Sequence, residues 1–471
     1  MTAVAHDLGM PSGEGDLTIE GHGMGPIPSA ARYGSVNRVF TVWFTPNLVP
    51  AAFFIGTLVT LDFLKLGFVT AILAIVVGNL VGSVIVGALA TMGPQTGMAQ
   101  MPAARLPFGK SIVVPGLLNW ISCIGWDGIN SLFGAFALTI LIPALPFPVA
   151  LLIIVICQAL LGIVGYEAIH LFEKWGAVAL GAMFVILTVA IAGKADTSLT
   201  DGFSGLDQAG AFLAMVAIVA SFVLAWALYA SDYTRYLPDS TSSSRVFWWT
   251  VLGLSLSAGW LEILGLLVAT QATGGESSDT INQVLGGGLL GGLAMVAIAL
   301  GTVAVNAMND YTGSLSLQAA GLRIPRVWSA LVVAVLGFLF TLYLNSGDFA
   351  GKFTNFLLFI SYWISPWAGV VLADWWLRHR KADVSGLTNF GGLPSGLLAL
   401  VAAVVGFLVS LPFQSSSLGF DIAANYPWLP INWVTVNQLH GADIAYYVGF
   451  AVAFVIYGLG ARGRIRGSAS A

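Results

Sequence analysis

The stretch GWDGIN, residues 125–130, places an aromatic, an acidic and an amide side chain inside an apolar run long enough to cross a membrane. A second polar stretch, NAMNDY (306–311), interrupts another apolar run later in the chain. Such side chains are costly in hydrocarbon and are tolerated where they face a protein interior or a water-filled cavity. Two polar clusters in separate membrane spans therefore predict one central site shared by both halves of the chain.

The composition is that of a polytopic membrane protein. Of the 471 residues, 57% are hydrophobic and only 8% are charged, with a mean hydropathy of +0.88, whereas a soluble domain carries roughly 25% charged residues. No basic run favours nucleic-acid binding. The histidines show no metal-ligand spacing, and no nucleophile elbow, zinc-protease motif or phosphate-binding loop is present. We predict a protein of the lipid bilayer with no enzyme activity, no cofactor and no metal.

Twelve apolar runs reach the ~20 residues that a spanning helix needs. With the N-terminus inside, fifteen of the 18 Lys and Arg residues fall in inner loops and tails, and only Lys65, Lys194 and Lys352 fall outside. This asymmetry follows the positive-inside rule. It predicts a multi-pass protein of the plasma membrane with both termini in the cytoplasm. The runs start near Val39, Phe68, Ile112, Pro146, Ile169, Ala211, Val246, Leu289, Trp328, Phe353, Leu397 and Ile444.

The order of the spans indicates an internal repeat. An acidic, Gly-rich outer loop separates spans one to five from spans six to ten, and the polar clusters occupy the third and eighth spans. These positions are equivalent in two inverted five-helix repeats. We predict a disordered cytoplasmic N-terminal tail (1–30), a first repeat (31–195), an inverted second repeat (196–381), two additional helices (382–463) and a cytoplasmic C-terminal tail (464–471).

The first span contains two prolines, Pro46 and Pro50, in TPNLVPAAFFIG (45–56). Because proline removes a backbone donor and clashes with the preceding turn, this spacing predicts a broken helix; a simple kink is the alternative. Carbonyls freed at a break can bind an ion or a polar ligand. The sixth span, ASFVLAWALYASDY (220–233), has no Gly or Pro at its centre, so no break is predicted there.

Trp126 and Asn130 are four residues apart and share one helix face. An indole offers a flat stacking surface and an amide offers both a donor and an acceptor, so the pair suits a planar heterocycle. The alternative is a structural tryptophan and an amide bonded to a neighbouring helix. Asn306 and Asn309 share a face of the eighth span, and Trp226, central in the sixth span, can supply a second ring.

Asp127 is the candidate for a coupling group, because burial makes proton uptake by a carboxylate feasible near neutral pH. It adjoins the face that carries Trp126 and Asn130. Adjacent residues of a helix point about 100° apart, so an ion pair between Asp127 and an arginine is the alternative.

Several stretches together resemble the purine–cytosine permease branch of the nucleobase:cation symporter family. The resemblance implies a leucine-transporter-like fold, an all-α membrane protein of about twelve transmembrane helices with a five-plus-five inverted repeat and two extra helices. The stretches are WFTPNLVPAAFFIG (43–56), GPQTGMAQMPAARLPFG (93–109), NWISCIGWDGIN (119–130), YASDYTRYLP (229–238), NAMNDYTGSLSLQAAGL (306–322) and FLLFISYWISPWAGVVLADWW (356–376).

The same resemblance implies roles for individual residues. The substrate of such relatives stacks on a tryptophan of the third helix, which matches Trp126. An amide one turn later, a tryptophan of the sixth helix and an asparagine of the eighth complete the site, and these fall on Asn130, Trp226 and Asn309. Asn306 would support the eighth-helix asparagine. Asn47, in the broken first span, would add a contact.

The resemblance also implies import of a nucleobase, cytosine or a purine, by cation symport. Sodium-coupled relatives place hydroxyl side chains five or six residues before the eighth-helix asparagine. This chain has Val303 and Ala304 there, with Thr302 one step further back. The difference favours a proton over sodium. A symporter of a related heterocycle (allantoin, hydantoin, uracil or a vitamin-like pyridine) and a passive channel stay open as alternatives.

Overall fold

A computed structural model describes residues 24–164, 166–271, 277–322, 324 and 326–468, and this part of the chain is all-helical. Twelve main helices correspond one to one with the predicted spans. They are α1 (two segments, Arg38–Phe44 and Pro50–Thr57), α2 (Phe68–Ala90), α3 (Val113–Leu141), α4 (Phe147–Val164), α5 (Tyr166–Ile191), α6 (Gly205–Leu224), α7 (Ser243–Ala269), α8 (Gly288–Ala319), α9 (Arg326–Leu344), α10 (Phe349–Leu377), α11 (Leu397–Ser410) and α12 (Ala445–Ser468).

The lengths and compositions of these helices fit a membrane protein. Over the described ranges, seven helices are long and apolar enough to cross a membrane, or nine if each of two bent pairs is one span. The bent pairs contain α1 and α11, and the shorter apolar helices are α4, α5 and α9. The predicted all-α membrane protein is confirmed. Short helices lie in the loops: Met92–Thr96, Gln100–Ala103, Arg105–Phe108, Ser277–Val284, Ser417–Asn425 and Trp433–Asn437.

The helices pack in two groups that meet at the centre of the molecule. In one group, α1 and α2 pack against α7, and α6 packs against α2. In the other, α3 packs against α4, α8 and α9, and the contact between α3 and α8 is the most extensive of any pair among the described helices. α10 touches α6 and packs against α11 and α12. A central site therefore has walls from both groups.

α1 is interrupted where the prolines predict a break. Its first segment ends at Phe44, a 3-10 turn covers Thr45–Asn47, and the helix resumes at Pro50 with the axis bent by 64°. Pro50 occupies the first helical position, where its missing amide donor costs no helical hydrogen bond. The prediction of a break is confirmed.

α6 also changes its geometry at its C-terminal end, which its sequence did not predict. The α-helix ends at Leu224, and a 3-10 helix, Ala225–Tyr229, continues the chain. A 3-10 segment within a span often marks a hinge or a functional position. Trp226 lies in this segment, so the backbone change sets the position of a predicted site residue.

The described end of the predicted N-terminal tail packs against the loop between α2 and α3. Ile27 is fully buried, and its amide donates to the carbonyl of Gly97 at 2.9 Å. Arg32 Nε donates to the Ile27 carbonyl at 2.8 Å. Residues 1–23 of this tail lie outside the described residues. At the other end, α12 extends to Ser468, and residues 469–471 lie outside the described residues.

α1 and α7 cross at glycines that leave no room for a side chain. A Cβ on Gly265 would lie 1.9 Å from the Phe53 carbonyl oxygen. We expect Gly265→Ala to lower the free energy of unfolding by about 1–3 kcal/mol, seen as a lower Tm in detergent. Gly458→Ala is the control, because a Cβ there meets nothing within 4 Å. An unchanged Tm for Gly265→Ala would contradict the close crossing.

Candidate functional site

A small cavity lies where the break of α1 and the end of α6 face α3 and α8. Its volume is about 40 Å³, well below the ~300 to 1,000 Å³ of ligand pockets, so its walls must move apart to admit a heterocycle. Four predicted site residues, Trp126, Asn130, Trp226 and Asn309, share this cavity. The complete lining is Pro46, Val49, Trp126, Asn130, Phe222, Ala225, Trp226, Tyr229, Val305 and Asn309.

The two indoles of the cavity are held by other aromatic rings and by an amide. Trp126 is half-buried and makes edge contacts with Phe222 and Phe356, at centroid distances of 5.7 and 5.3 Å. Trp226 Nε1 donates to Asn47 Oδ1 at 2.9 Å. Since its N–H is already bonded, Trp226 offers a ring face to a ligand and not a hydrogen bond.

Asn47 lies behind the cavity. It is fully buried, and its Nδ2 donates to the carbonyl of Trp43 at 2.8 Å. Its side chain therefore bonds to the first segment of α1 and to Trp226 of α6. In this closed arrangement Asn47 positions a cavity residue and is not itself part of the lining.

Asn306 is the centre of a buried amide network. Its Oδ1 accepts from Asn130 Nδ2 at 3.1 Å and from Asn309 Nδ2 at 3.5 Å. Its Nδ2 lies 2.8 Å from Gln158 Oε1, 2.9 Å from Ser131 Oγ and 3.1 Å from the Asp127 carbonyl oxygen. Asn306 thus joins the two cavity amides to α3 and α4.

Asp127 points away from the cavity, into the interface of α3 with α4 and α9. It is fully buried, and its Oδ1 accepts from Gln158 Nε2 at 2.6 Å. Oδ2 has no hydrogen-bond partner in the described part of the chain. A Cβ on Gly337 would lie 2.1 Å from this oxygen. Asp127 bonds to a neutral amide, and no arginine pairs with it among the described residues.

Thr302, the hydroxyl nearest to the expected sodium-ligand positions, faces α3. Its Oγ1 donates to the Asn130 carbonyl at 3.3 Å, and its side chain contacts the Gly134 position. Val303 and Ala304 are buried and carry no side-chain oxygen. A shift of one residue in the register therefore does not bring a hydroxyl toward α1.

The cavity is closed toward the predicted outer side by a cluster of four phenylalanines, Phe54, Phe133, Phe349 and Phe353. Their centroid distances run from 4.9 to 6.2 Å. Phe54 and Phe349 also line an outer vestibule of about 460 Å³. Phe54 and Phe133 lie about one helical turn beyond the cavity residues Val49 of α1 and Asn130 of α3, so the cluster separates the vestibule from the cavity.

The cavity is also closed toward the predicted cytoplasmic side. Trp43 makes an edge contact with Tyr233 at 5.3 Å, and Asn119 Nδ2 donates to Ser316 Oγ at 2.7 Å between α3 and α8. Arg105 is buried and donates to carbonyls at the C-terminal end of α8, which include that of Ala319 at 2.9 Å. The structure is therefore occluded on both sides.

Sequence reasoning missed several residues of the site. Gln158, in the apolar run VICQALLG (155–162), carried a usable signal, because a lone amide in a membrane span needs a partner. Tyr229 donates from its hydroxyl to Asn309 Oδ1 at 3.4 Å, and its phenol gave no such signal in the sequence. Phe222 and Phe356 look like any lipid-facing or core phenylalanine in the sequence. Only the fold reveals their contact with Trp126.

Comparisons with known proteins agree on one family. Residues 26–449 match the family model described as permease for cytosine/purines, uracil, thiamine, allantoin. The chain is 30% identical over 473 residues to the purine-cytosine permease fcyB of Emericella nidulans, and the alignment covers 94% of this chain and 88% of the relative. It is 28% identical to the putative purine-cytosine permease YxlA of Bacillus subtilis, over 92% of this chain and 93% of that relative.

The fold has a solved counterpart. The closed, bromovinylhydantoin-bound structure of Mhp1, a nucleobase-cation-symport-1 family transporter, superposes with a TM-score of 0.73 at 18% identity, covering 96% of this chain and 97% of that one. This confirms the leucine-transporter-like fold, and the relatives are transporters and not enzymes. The chain is a multi-pass membrane protein that belongs to the family of permeases for cytosine and purines, uracil, thiamine and allantoin.

Proposed function

We propose that this chain imports a nucleobase, cytosine or a purine, across the plasma membrane together with a proton. The observation that carries the proposal is the convergence of two indoles and two amides, Trp126, Trp226, Asn130 and Asn309, in one central cavity. Curated relatives named purine-cytosine permeases support the nucleobase. Both termini are proposed to lie in the cytoplasm, from the distribution of Lys and Arg.

Binding would combine stacking with hydrogen bonding. The ring faces of Trp126 and Trp226 would stack against a flat ligand. The amides of Asn130 and Asn309 would form hydrogen bonds with the polar edge of that ligand. Because buried amides left unpaired are costly, such a site discriminates strongly against a ligand with the wrong edge. Asn306 and Asn47 hold these residues from behind.

Transport would proceed by alternating access around this fixed site. Of the two predicted repeats, residues 31–195 would contribute α1 and α3 to the site and residues 196–381 would contribute α6 and α8. The group of α1, α2, α6 and α7 would tilt against the group of α3, α4, α8 and α9. Opening toward the outside would separate Phe54 of α1 from Phe133 of α3. Opening inward would separate Tyr229, at the end of α6, from Cys123 of α3 and Asn309 of α8.

A proton is proposed as the coupling ion in preference to sodium. Val303 and Ala304 offer no side-chain oxygen at the expected sodium-ligand positions, and Thr302 is bonded to α3. Asp127 is proposed to take up the proton, because it is fully buried, has no cationic partner among the described residues and is connected to the cavity amides through Gln158 and Asn306.

The substrate among related heterocycles is tested by competition. Uptake of radiolabelled cytosine is measured in cells that lack their own nucleobase carriers, with an excess of unlabelled cytosine, adenine, uracil, allantoin, hydantoin or pyridoxine. We expect cytosine and a purine to block uptake most strongly. Strong block by allantoin, hydantoin or pyridoxine alone would move the assignment to that heterocycle. Uptake that a protonophore leaves unchanged and that stops at equilibrium would indicate a passive channel.

A further inference from the structure

The donors and acceptors of the buried amide network are fixed by a backbone carbonyl of α3. The carbonyl oxygen of Asp127 can only accept a hydrogen bond, so the Asn306 atom at 3.1 Å from it must be the amide nitrogen. The oxygen of Asn306 is then turned toward the cavity side, where it faces Asn130 and Asn309. The orientation of Asn306 therefore does not depend on a choice between two similar atoms.

Gln158 of α4 reinforces this direction from the other side. Its Nε2 donates to Asp127 Oδ1 at 2.6 Å, and its Oε1 accepts from Asn306 Nδ2 at 2.8 Å. Because Asn306 Nδ2 is a donor, the Gln158 atom that faces it must be the amide oxygen, and the amide nitrogen of Gln158 is then the atom that faces Asp127. Gln158 is fully buried, and within the described residues it is the side chain that joins the carboxylate to the amide network.

The direction of the network decides which atoms the cavity offers. Asn130 and Asn309 use their nitrogens on Asn306 Oδ1. Their oxygens are left for the cavity: Asn130 Oδ1 has no bond to any described residue, and Asn309 Oδ1 accepts one long bond from Tyr229 at 3.4 Å. Each amide thus has its oxygen free to accept from an N–H group of a ligand, while its nitrogen is held on Asn306.

We infer that Gln158 is a positioning residue that sets the selectivity of the cavity. It helps to hold Asn306, and Asn306 in turn holds Asn130 and Asn309 with their amide oxygens toward the cavity. The inference rests on the proposed function, because the amides must contact a transported heterocycle for their orientation to matter. Gln158 does not line the cavity, so it acts on the ligand only through the other amides.

The consequence is testable with two ligands of nearly equal shape. At C4 cytosine carries an amino group and uracil a carbonyl oxygen, while at N3 cytosine accepts a hydrogen bond and uracil donates one. An amide oxygen of the cavity that faces the C4 group therefore favours cytosine. Without Gln158, Asn306 Nδ2 loses its shortest hydrogen bond and is held only by the Asp127 carbonyl and Ser131 Oγ. Asn306, and through it Asn130 and Asn309, then gains freedom to rotate, so that a nitrogen can face uracil. Selectivity between the two pyrimidines should therefore fall even though every cavity residue is intact.

The experiment compares Gln158→Met with Gln158→Glu. Methionine keeps the length of the side chain without its hydrogen bonds, whereas a glutamate that shares one proton with Asp127 donates to it and still accepts from Asn306. Selectivity is measured as the inhibition constant of uracil divided by that of cytosine. We expect Gln158→Met to reduce this ratio by about tenfold, and Gln158→Glu to retain most of the wild-type ratio. Cys157→Ala, at an exposed position of the same helix, is the matched control and should leave the ratio unchanged.

The outcomes separate this inference from the proposed function. If the wild-type protein takes up cytosine and discriminates against uracil but Gln158→Met keeps the wild-type ratio, the positioning role is wrong and the proposed function stands. Equal inhibition of the wild-type protein by cytosine and uracil would also overturn the inference, because the orientation of the amides would then have no effect on selectivity. If the wild-type protein takes up no nucleobase, the proposed function itself fails. Quantifying each variant in the membrane fraction shows that lost selectivity is not lost protein.

Discussion

Replacing Asn130 or Asn309 by alanine is expected to lower the initial rate of cytosine uptake by at least about a hundredfold. The reason is that a polar group of the bound ligand loses its hydrogen-bond partner when the amide is removed, and the binding free energy falls accordingly. Each substitution also leaves Asn306 Oδ1 without one of its two donors. The rates are measured with radiolabelled cytosine and divided by the amount of each variant in the membrane.

Asn437→Ala is the matched control for this pair. Asn437 is exposed in the loop before α12, and its side chain bonds only to the Trp433 carbonyl among the described residues. We expect its uptake to equal that of the wild-type protein. Normal uptake by both Asn130→Ala and Asn309→Ala would refute the proposed site.

Asp127→Asn is expected to abolish accumulation of cytosine against its gradient while exchange of labelled for unlabelled cytosine continues. The asparagine oxygen can still accept from Gln158 Nε2, so the amide network is retained, but the side chain can no longer bind and release a proton. The two activities are measured in the same proteoliposomes, first with an imposed proton gradient and then by counterflow without one.

A second buried carboxylate provides the control for Asp127. Glu262 of α7 is fully buried and accepts from Asn79 Nδ2 of α2, within the other group of helices and without a bond to the cavity amides. We expect Glu262→Gln to retain proton-driven accumulation. Loss of accumulation in Glu262→Gln with normal accumulation in Asp127→Asn would move the coupling role to α7.

Local chemistry explains which parts of the fold and the site were predictable. The break of α1 was predictable because Pro46 and Pro50 act on the backbone of their own turn. Trp126, Asn130 and Asn309 were predictable as candidates because polar side chains in a membrane span are costly unless they face the protein interior or a cavity. The change of helix type at Ala225 has no such marker, since it depends on what α6 meets in the folded protein.

The partners of each side chain were beyond the reach of the sequence. Spacing along α3 placed Asp127 off the face of Trp126, but the bond from Gln158 depends on how α4 packs against α3. In the same way, Asn47 was expected to touch the ligand, and its bond to Trp226 emerges only when α1 and α6 are brought together. Contacts between distant spans come from tertiary packing, which a single sequence does not contain.

The central claim is that one cavity between α1, α3, α6 and α8 binds a nucleobase and couples its movement to a proton. Uptake of labelled cytosine into proteoliposomes, driven only by an inwardly directed proton gradient in sodium-free buffer, tests this most directly. We predict accumulation above the external concentration that a protonophore collapses and that Asn130→Ala does not support. No uptake, uptake that stops at equilibrium, or accumulation that requires sodium would contradict the account.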